Sequence, residues 1–160
     1  RTSPEGRRMA RSLLTRRNIL LGVSLAIVGG TGALIASSQT LLSNDGLSVT
    51  EAYAAAKSQD LLLVDIRRPD EWEATGIGAG ATPIDMRRDD FIAALDQLTS
   101  GDRSTPVALI CARGVRSKHL GKALKDAGYL RVIDVPEGML GSFAGPGWLK
   151  TGLPVTAYGG

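Results

Sequence analysis

Pro106 Val107 Ala108 Leu109 Ile110 Cys111 Ala112 Arg113 Gly114 Val115 Arg116 Ser117 runs from an apolar segment, through a thiol, into a short basic loop. Consecutive apolar residues entering a glycine-containing loop predict a buried strand. Ser117 Lys118 His119 Leu120 Gly121 Lys122 Ala123 Leu124 carries helical spacing, with Ser117 expected as the N-cap. The loop is thus expected at a helix N-terminus, where unpaired backbone amides and the positive end of the helix dipole favour an anion such as a thiolate. Arg113 and Arg116 add positive charge there. Cys111 is the only cysteine in the chain. Free cysteines are often inert core packing, yet packing gives no reason for two arginines and a glycine in the next five residues.

Working outward, short apolar runs alternate with helical patterns from Leu47 onward, the signature of an α/β domain with a mainly parallel sheet. Ser48 Val49 Thr50 Glu51 is a capping-box pattern opening an alanine-rich helix to about Lys57. Leu61 to Asp65 is a continuous apolar strand, as expected when helices cover both faces of a sheet. Pro69 Asp70 Glu71 Trp72 starts a short helix, with proline and acids at its N-terminal end. The loop from Gly76 to Ala81 leads to a strand near Thr82 to Ile84. Asp89 to Leu98 reads as amphipathic, with Phe91, Ile92, Leu95 and Leu98 on one face. Gly128 then closes the helix after Cys111, and Leu130 to Asp134 is the next strand.

Five pieces stand in one order: Leu63 to Trp72 (Leu-Val-Asp-Ile-Arg-Arg-Pro-Asp-Glu-Trp), Gly80 Ala81, Cys111 to Ser117, Glu137 Gly138, and Gly152 Leu153 Pro154 Val155. Together they resemble a single-domain rhodanese over about Leu47 to Tyr158. The resemblance implies a three-layer α/β domain, residues 47–158, with a mainly parallel central sheet and helices on both faces. It also implies a sulfurtransferase of the thiosulfate sulfurtransferase class, without cofactor or metal, in which Cys111 carries sulfane sulfur as a persulfide. The donor would be a small molecule such as thiosulfate, and the acceptor a thiol, cyanide or a protein. Ala112, Arg113, Gly114, Val115 and Arg116 would form the loop whose amides face the negative sulfur, Arg116 matching the family's loop arginine and Arg113 helping to hold an anionic donor. Asp65 matches the family's strand-end acid. It is expected to organise the surroundings by hydrogen bonds, with Arg67 as a partner and Ser117 in support, and a plain loop salt bridge is the competing reading.

Loop length separates two neighbours of this fold. Related dual-specificity phosphatases place their arginine after five intervening residues, whereas four separate Cys111 from Arg116 here and Ser117 occupies the phosphatase arginine's place. The smaller loop favours sulfur over phosphate. The sequence departs from the family at Ile77, where a histidine is usual, and from Ser142 to Trp148. His119 invites reading as a general base, but a thiolate held by amides needs none. Trp72 and Trp148 read as packing residues. Two further function classes compete with a turning-over enzyme: a sulfur-carrier or sensing module dedicated to one protein partner, and a binding domain without turnover. Retention of both Cys111 and Arg116 argues against the last.

The 160-residue chain has 43% hydrophobic residues and a net charge of +3, and that average hides a division. Six arginines against Glu5 give the first eighteen residues +5, leaving 13 basic against 15 acidic residues in the remainder. Aromatic residues make up 4% and the remainder carries no basic stripe, which argues against nucleic acid as a partner. One cysteine excludes an intramolecular disulfide and a multi-thiolate zinc site.

Ile19 to Ala36 is uncharged and apolar, long enough for a signal h-region or a short membrane span. Its four glycines, each costing about 1 kcal/mol in a helix interior, do not suit a core helix. Thr15 Arg16 Arg17 Asn18 Ile19 Leu20 resembles a twin-arginine export motif. Residues 1–38 are accordingly expected to be an export signal or membrane anchor and 39–46 a linker, placing the domain in the periplasm or on the non-cytoplasmic side of a membrane. Cleavage before Gln39 and retention as an anchor both fit the small residues at Ala36 Ser37 Ser38, and Met9 would give a signal with an n-region of normal length.

Overall fold

In the computed structural model, residues 46–159 are described; the expected signal and most of the linker lie outside them. Ser48 caps the first helix, α1 (Val49–Lys57), by the expected capping box: its Oγ accepts from the Glu51 N–H and its own N–H donates to the Glu51 carboxylate. There follow β1 (Leu62–Asp65), α2 (Pro69–Thr75), β2 (Ile77–Gly78), β3 (Ala81–Pro83), α3 (Phe91–Leu98), β4 (Val107–Ile110), α4 (Val115–Asp126), β5 (Val132–Asp134) and β6 (Val155–Thr156).

Four strands form one parallel sheet in the order β3-β1-β4-β5, while β2 and β6 pair antiparallel in a second, two-stranded sheet. The register sets Leu62 beside Val107 and Asp65 beside Ile110, so β1 and β4 end level with one another. Side chains alternate across the pleat. Leu63, Ala108, Ile110 and Ile133 pack on one face with Val49 and Ala52 of α1, together with Met139 and Trp148. Val64, Val107, Leu109 and Val132 pack on the other with Phe91 and Leu95 of α3 and Leu124 of α4. Both faces are therefore covered, which is why β1 and β4 read as unbroken apolar runs. The fold is α/β with a mainly parallel central sheet flanked by helices.

Three local expectations are corrected. The predicted face of α3 is narrower than expected: Phe91 and Leu95 are buried, but Ile92 and Leu98 are exposed at 36% and 44%. Ile92 lies about 100° round the helix from Phe91, off the buried stripe, whereas Leu98 shares the angle of Phe91 and Leu95 but is the helix's last residue, where the packing ends. The segment from Gly76 to Ala81 is not plain loop, because Ile77 and Gly78 pair with Thr156 and Val155 across the chain. Ser117 does not cap α4; the helix begins two residues earlier, and Gly114 occupies the N-cap with φ 79°. Trp148 is fully buried edge-on to Tyr53, its indole N–H donating to the Pro154 carbonyl at 2.9 Å, and Trp72 is buried beside Tyr158. Both tryptophans therefore pack, as their sequence context implies.

Candidate active site

The thiol sits where β4 turns into α4. Because β4 is a central strand, its last residue enters the loop from inside the core, and Cys111 is 1% exposed. Gly114 then reverses the chain with a left-handed φ that a side chain resists. That turn aims its N–H back at the sulfur, and it donates to Cys111 Sγ at 3.2 Å. The Ser117 hydroxyl, in the first turn of α4, lies 3.5 Å from the same sulfur and donates to the Gly114 carbonyl at 3.1 Å. Ser117 is thus fully buried, under the loop rather than at the helix end.

The segment after β5 braces this loop from behind. The Met139 and Leu140 N–H groups donate to the carbonyls of Cys111 and Ala112 at 2.8 and 2.9 Å. Gly138 makes the close approach possible, since a Cβ there would stand 2.5 Å from the Ala112 carbonyl oxygen. Glu137 is buried and accepts from the N–H groups of Val49 and Gly147, at 3.1 Å each, tying the brace to α1. The outer side of the loop faces solvent: Arg113 and Val115 are exposed, and Arg113 Nη1 reaches the Gly141 carbonyl at 3.4 Å.

Arg116 turns away from the rim to Glu71 on α2, making a forked pair with contacts of 2.8 and 2.6 Å. These hydrogen bonds, more than any other influence, hold the Glu71 carboxyl down to about 2. The Arg68 backbone N–H donates to the same carboxylate at 3.0 Å. Arg68, Arg87 and Arg116 converge with Glu71 and Met86 on a cleft of about 330 Å³. Glu71 is the partner that sequence reading missed. It appears there only as an acid in a helix's first turn, and nothing local links it to an arginine 45 positions away.

Asp65 and Arg67 meet each other, as expected, but as a closed unit. Both are fully buried. Arg67 Nε and Nη2 donate to the Asp65 carboxylate, at 2.9 and 2.7 Å, and its remaining N–H groups reach the Glu71 carbonyl, Thr75 Oγ1 and the Gly76 carbonyl. The pair locks the end of β1 to the C-terminal end of α2 and presents no free donor toward Cys111. His119 is exposed on α4 and lines a cleft beside the loop. Among the described residues, no cluster of three or more His, Cys, Asp or Glu could hold a metal ion, and no helix is long and apolar enough to cross a membrane.

Known proteins resemble the chain in fold and in family. No curated protein matches the chain. Among solved structures, the polysulfide-sulfur transferase homodimer of Wolinella succinogenes is similar at 28% identity, with a TM-score of 0.54 over 78% of this chain and 87% of that one. A rhodanese-related protein of Thermoplasma volcanium (23% identity, TM-score 0.51, covering 71% of this chain and 99% of that one) shares the fold. So does a Rhodopseudomonas palustris protein of unknown function described as a possible tyrosine phosphatase (23%, TM-score 0.50, covering 84% and 100%). The model of the rhodanese-like domain matches residues 48–142, a span that holds the Asp65–Arg67 lock, Glu71 and the whole Cys111 loop, and the chain belongs to that family.

Proposed function

We propose that the protein is a sulfurtransferase that moves sulfane sulfur from a donor such as thiosulfate to a thiol or cyanide through a Cys111 persulfide. The family membership supports sulfur transfer in general, and the observation carrying the particular reading is the Gly114 amide aimed at Cys111 Sγ in a loop of four intervening residues. In the first half-reaction the Cys111 thiolate attacks the outer sulfur of thiosulfate, the sulfur–sulfur bond breaks, and its electron pair leaves with sulfite. In the second, the acceptor thiolate attacks the outer sulfur of the persulfide, and the Cys111 thiolate departs as leaving group. Gly114 supplies a preorganised dipole where negative charge resides before and after each step. Arg113, exposed on the outer side of the loop, gives an anionic donor a favourable approach.

A phosphatase reading lacks its arginine, because position 117 holds a serine whose hydroxyl faces inward to Gly114 and the sulfur. Residues 1–38 are proposed to carry the domain out of the cytoplasm, and the mature N-terminus reads this directly: a chain starting near Gln39 means a cleaved signal, an intact one an anchor. Intact mass after incubation with thiosulfate tests the chemistry. The wild type gains one sulfur atom and loses it again to cyanide, while Cys111→Ala gains none; a wild type that gains nothing overturns the proposal.

A further inference from the structure

Charge is divided along the domain. Residues 46–112 carry 6 Lys and Arg against 11 Asp and Glu, whereas residues 113–159 carry 7 against 3. Of those three acids, Glu137 is buried in the brace, Asp126 is ion-paired with Lys122 at 3.0 Å, and Asp134 is half-buried beside α4. Lys118, Lys122 and Lys125 stand at i, i+4 and i+7, one face of α4 spanning about 10 Å. With Arg113 and His119 they line a cleft of about 700 Å³ that reaches Gly114 and Ser117 beside the thiol. A second cleft, about 510 Å³, shares Arg113 and Val115 with the first and is also lined by Lys150.

Phe143 lines both clefts and is fully exposed, Val115 is 65% exposed and Leu140 43%. Large apolar side chains rimmed by charge, gathered around one loop, mark a surface made to be covered. Cations spread along two turns of helix exceed what a small sulfur anion needs and match a macromolecular surface. A flat lipid headgroup layer fits less well, because it would cover a thiol recessed to 1% exposure and bar the acceptor from it.

We infer that this face docks an acidic protein whose cysteine exchanges sulfur with Cys111, with Phe143 and Val115 as apolar anchors and Lys118, Lys122 and Lys125 as the complementary charges. The inference rests on the sulfurtransferase reading. The test loads the full-length protein with thiosulfate and measures sulfur transfer to three thiols: free cysteine, a peptide with a cysteine beside leucine among Glu and Asp, and its Lys-substituted counterpart. In the combined variant Lys118→Glu, Lys122→Glu, Lys125→Glu, the rate to the acidic peptide is expected to fall about tenfold at low salt, and the gap to close as salt rises. Phe143→Ala should lower that rate several-fold, while the rate to free cysteine stays unchanged in both variants. Equal rates to the acidic peptide in wild type and combined variant overturn the inference. So does wild-type binding to phosphatidylglycerol vesicles that blocks transfer to every thiol. If the wild type takes up no sulfur, the sulfurtransferase reading has failed instead, and anisotropy of the labelled acidic peptide on wild type against the combined variant still decides the docking surface.

Discussion

β1 and β4 run side by side and end level, Asp65 beside Ile110, yet the loops that leave them are built for different purposes. After β1, a carboxylate and a guanidinium close upon each other and upon α2, both fully buried, with their hydrogen-bonding groups consumed within the fold. After β4, the backbone turns so that an amide meets a sulfur, and the charged side chains lie outside or reach to a partner on another element. One loop is polar in order to be rigid. The other borrows that rigidity, because α2, fixed by Arg67, carries the Glu71 that holds Arg116. Similar residue types at the ends of adjacent strands thus divide into a lock and a reactive loop, according to whether their polar groups are satisfied internally.

The largest effect should come from breaking the lock. Arg67→Ala leaves the Asp65 carboxylate buried without its partner, and breaking a buried pair costs about 3–5 kcal/mol. Urea unfolding should show that loss as a lowered midpoint with an unchanged slope. Those molecules that remain folded should still load sulfur on Cys111, since nothing in the lock touches the thiol. A variant of wild-type stability with lost sulfur loading would invert the comparison and make Arg67 part of the chemistry.

Gly114→Ala should do the reverse. Its φ of 79° lies in the left-handed region, disfavoured for alanine by about 1 kcal/mol, and its Cβ would collide with the Pro136 carbonyl. The loop must shift, and the amide leaves its place on the sulfur. Loss of one such donor slows a charge-stabilised step by about a hundredfold, so the rate of persulfide formation by the folded protein should drop by that order, whatever the collision with the Pro136 backbone also takes from the unfolding midpoint. If the rate is unchanged, the amide does not serve the sulfur.

The reactive loop and the lock differ also in how far sequence discloses them. Unbroken apolar runs such as Leu62–Val64 and Val107–Ile110, the capping box at Ser48 and the cysteine loop are local signals, and each appears where local reading puts it. Asp65 and Arg67 are two residues apart, so their pairing is legible as well. What is not legible depends on distant contacts. The strands Ile77–Gly78 and Val155–Thr156 exist only through each other. Ser117 resembles a cap in sequence, yet a left-handed glycine three residues earlier starts the helix sooner and draws the serine beneath the loop. Glu71 looks like an ordinary first-turn acid until the fold brings Arg116 to it.

That last pair is intermediate between the two loops, and so should be its response. Glu71 and Arg116 are partly exposed, so solvent weakens the bond, and Glu71→Gln should cost about 1 kcal/mol near neutrality, less than breaking the lock. The direction with pH follows from the carboxyl being held down to about 2, against an ordinary value of 4.5. Charged Glu71 stabilises the folded form fully above the ordinary value, and protonation removes that contribution as pH falls toward 2. The difference in unfolding midpoint between wild type and Glu71→Gln should accordingly be constant above about pH 5 and shrink steadily below 4.5. Glutamine still offers Arg116 an oxygen, so sulfur loading at neutral pH should slow only a few-fold, well short of the Gly114 variant. A constant difference down to pH 2 would mean that shape rather than charge holds Arg116, and the bridge between lock and reactive loop would then be packing alone.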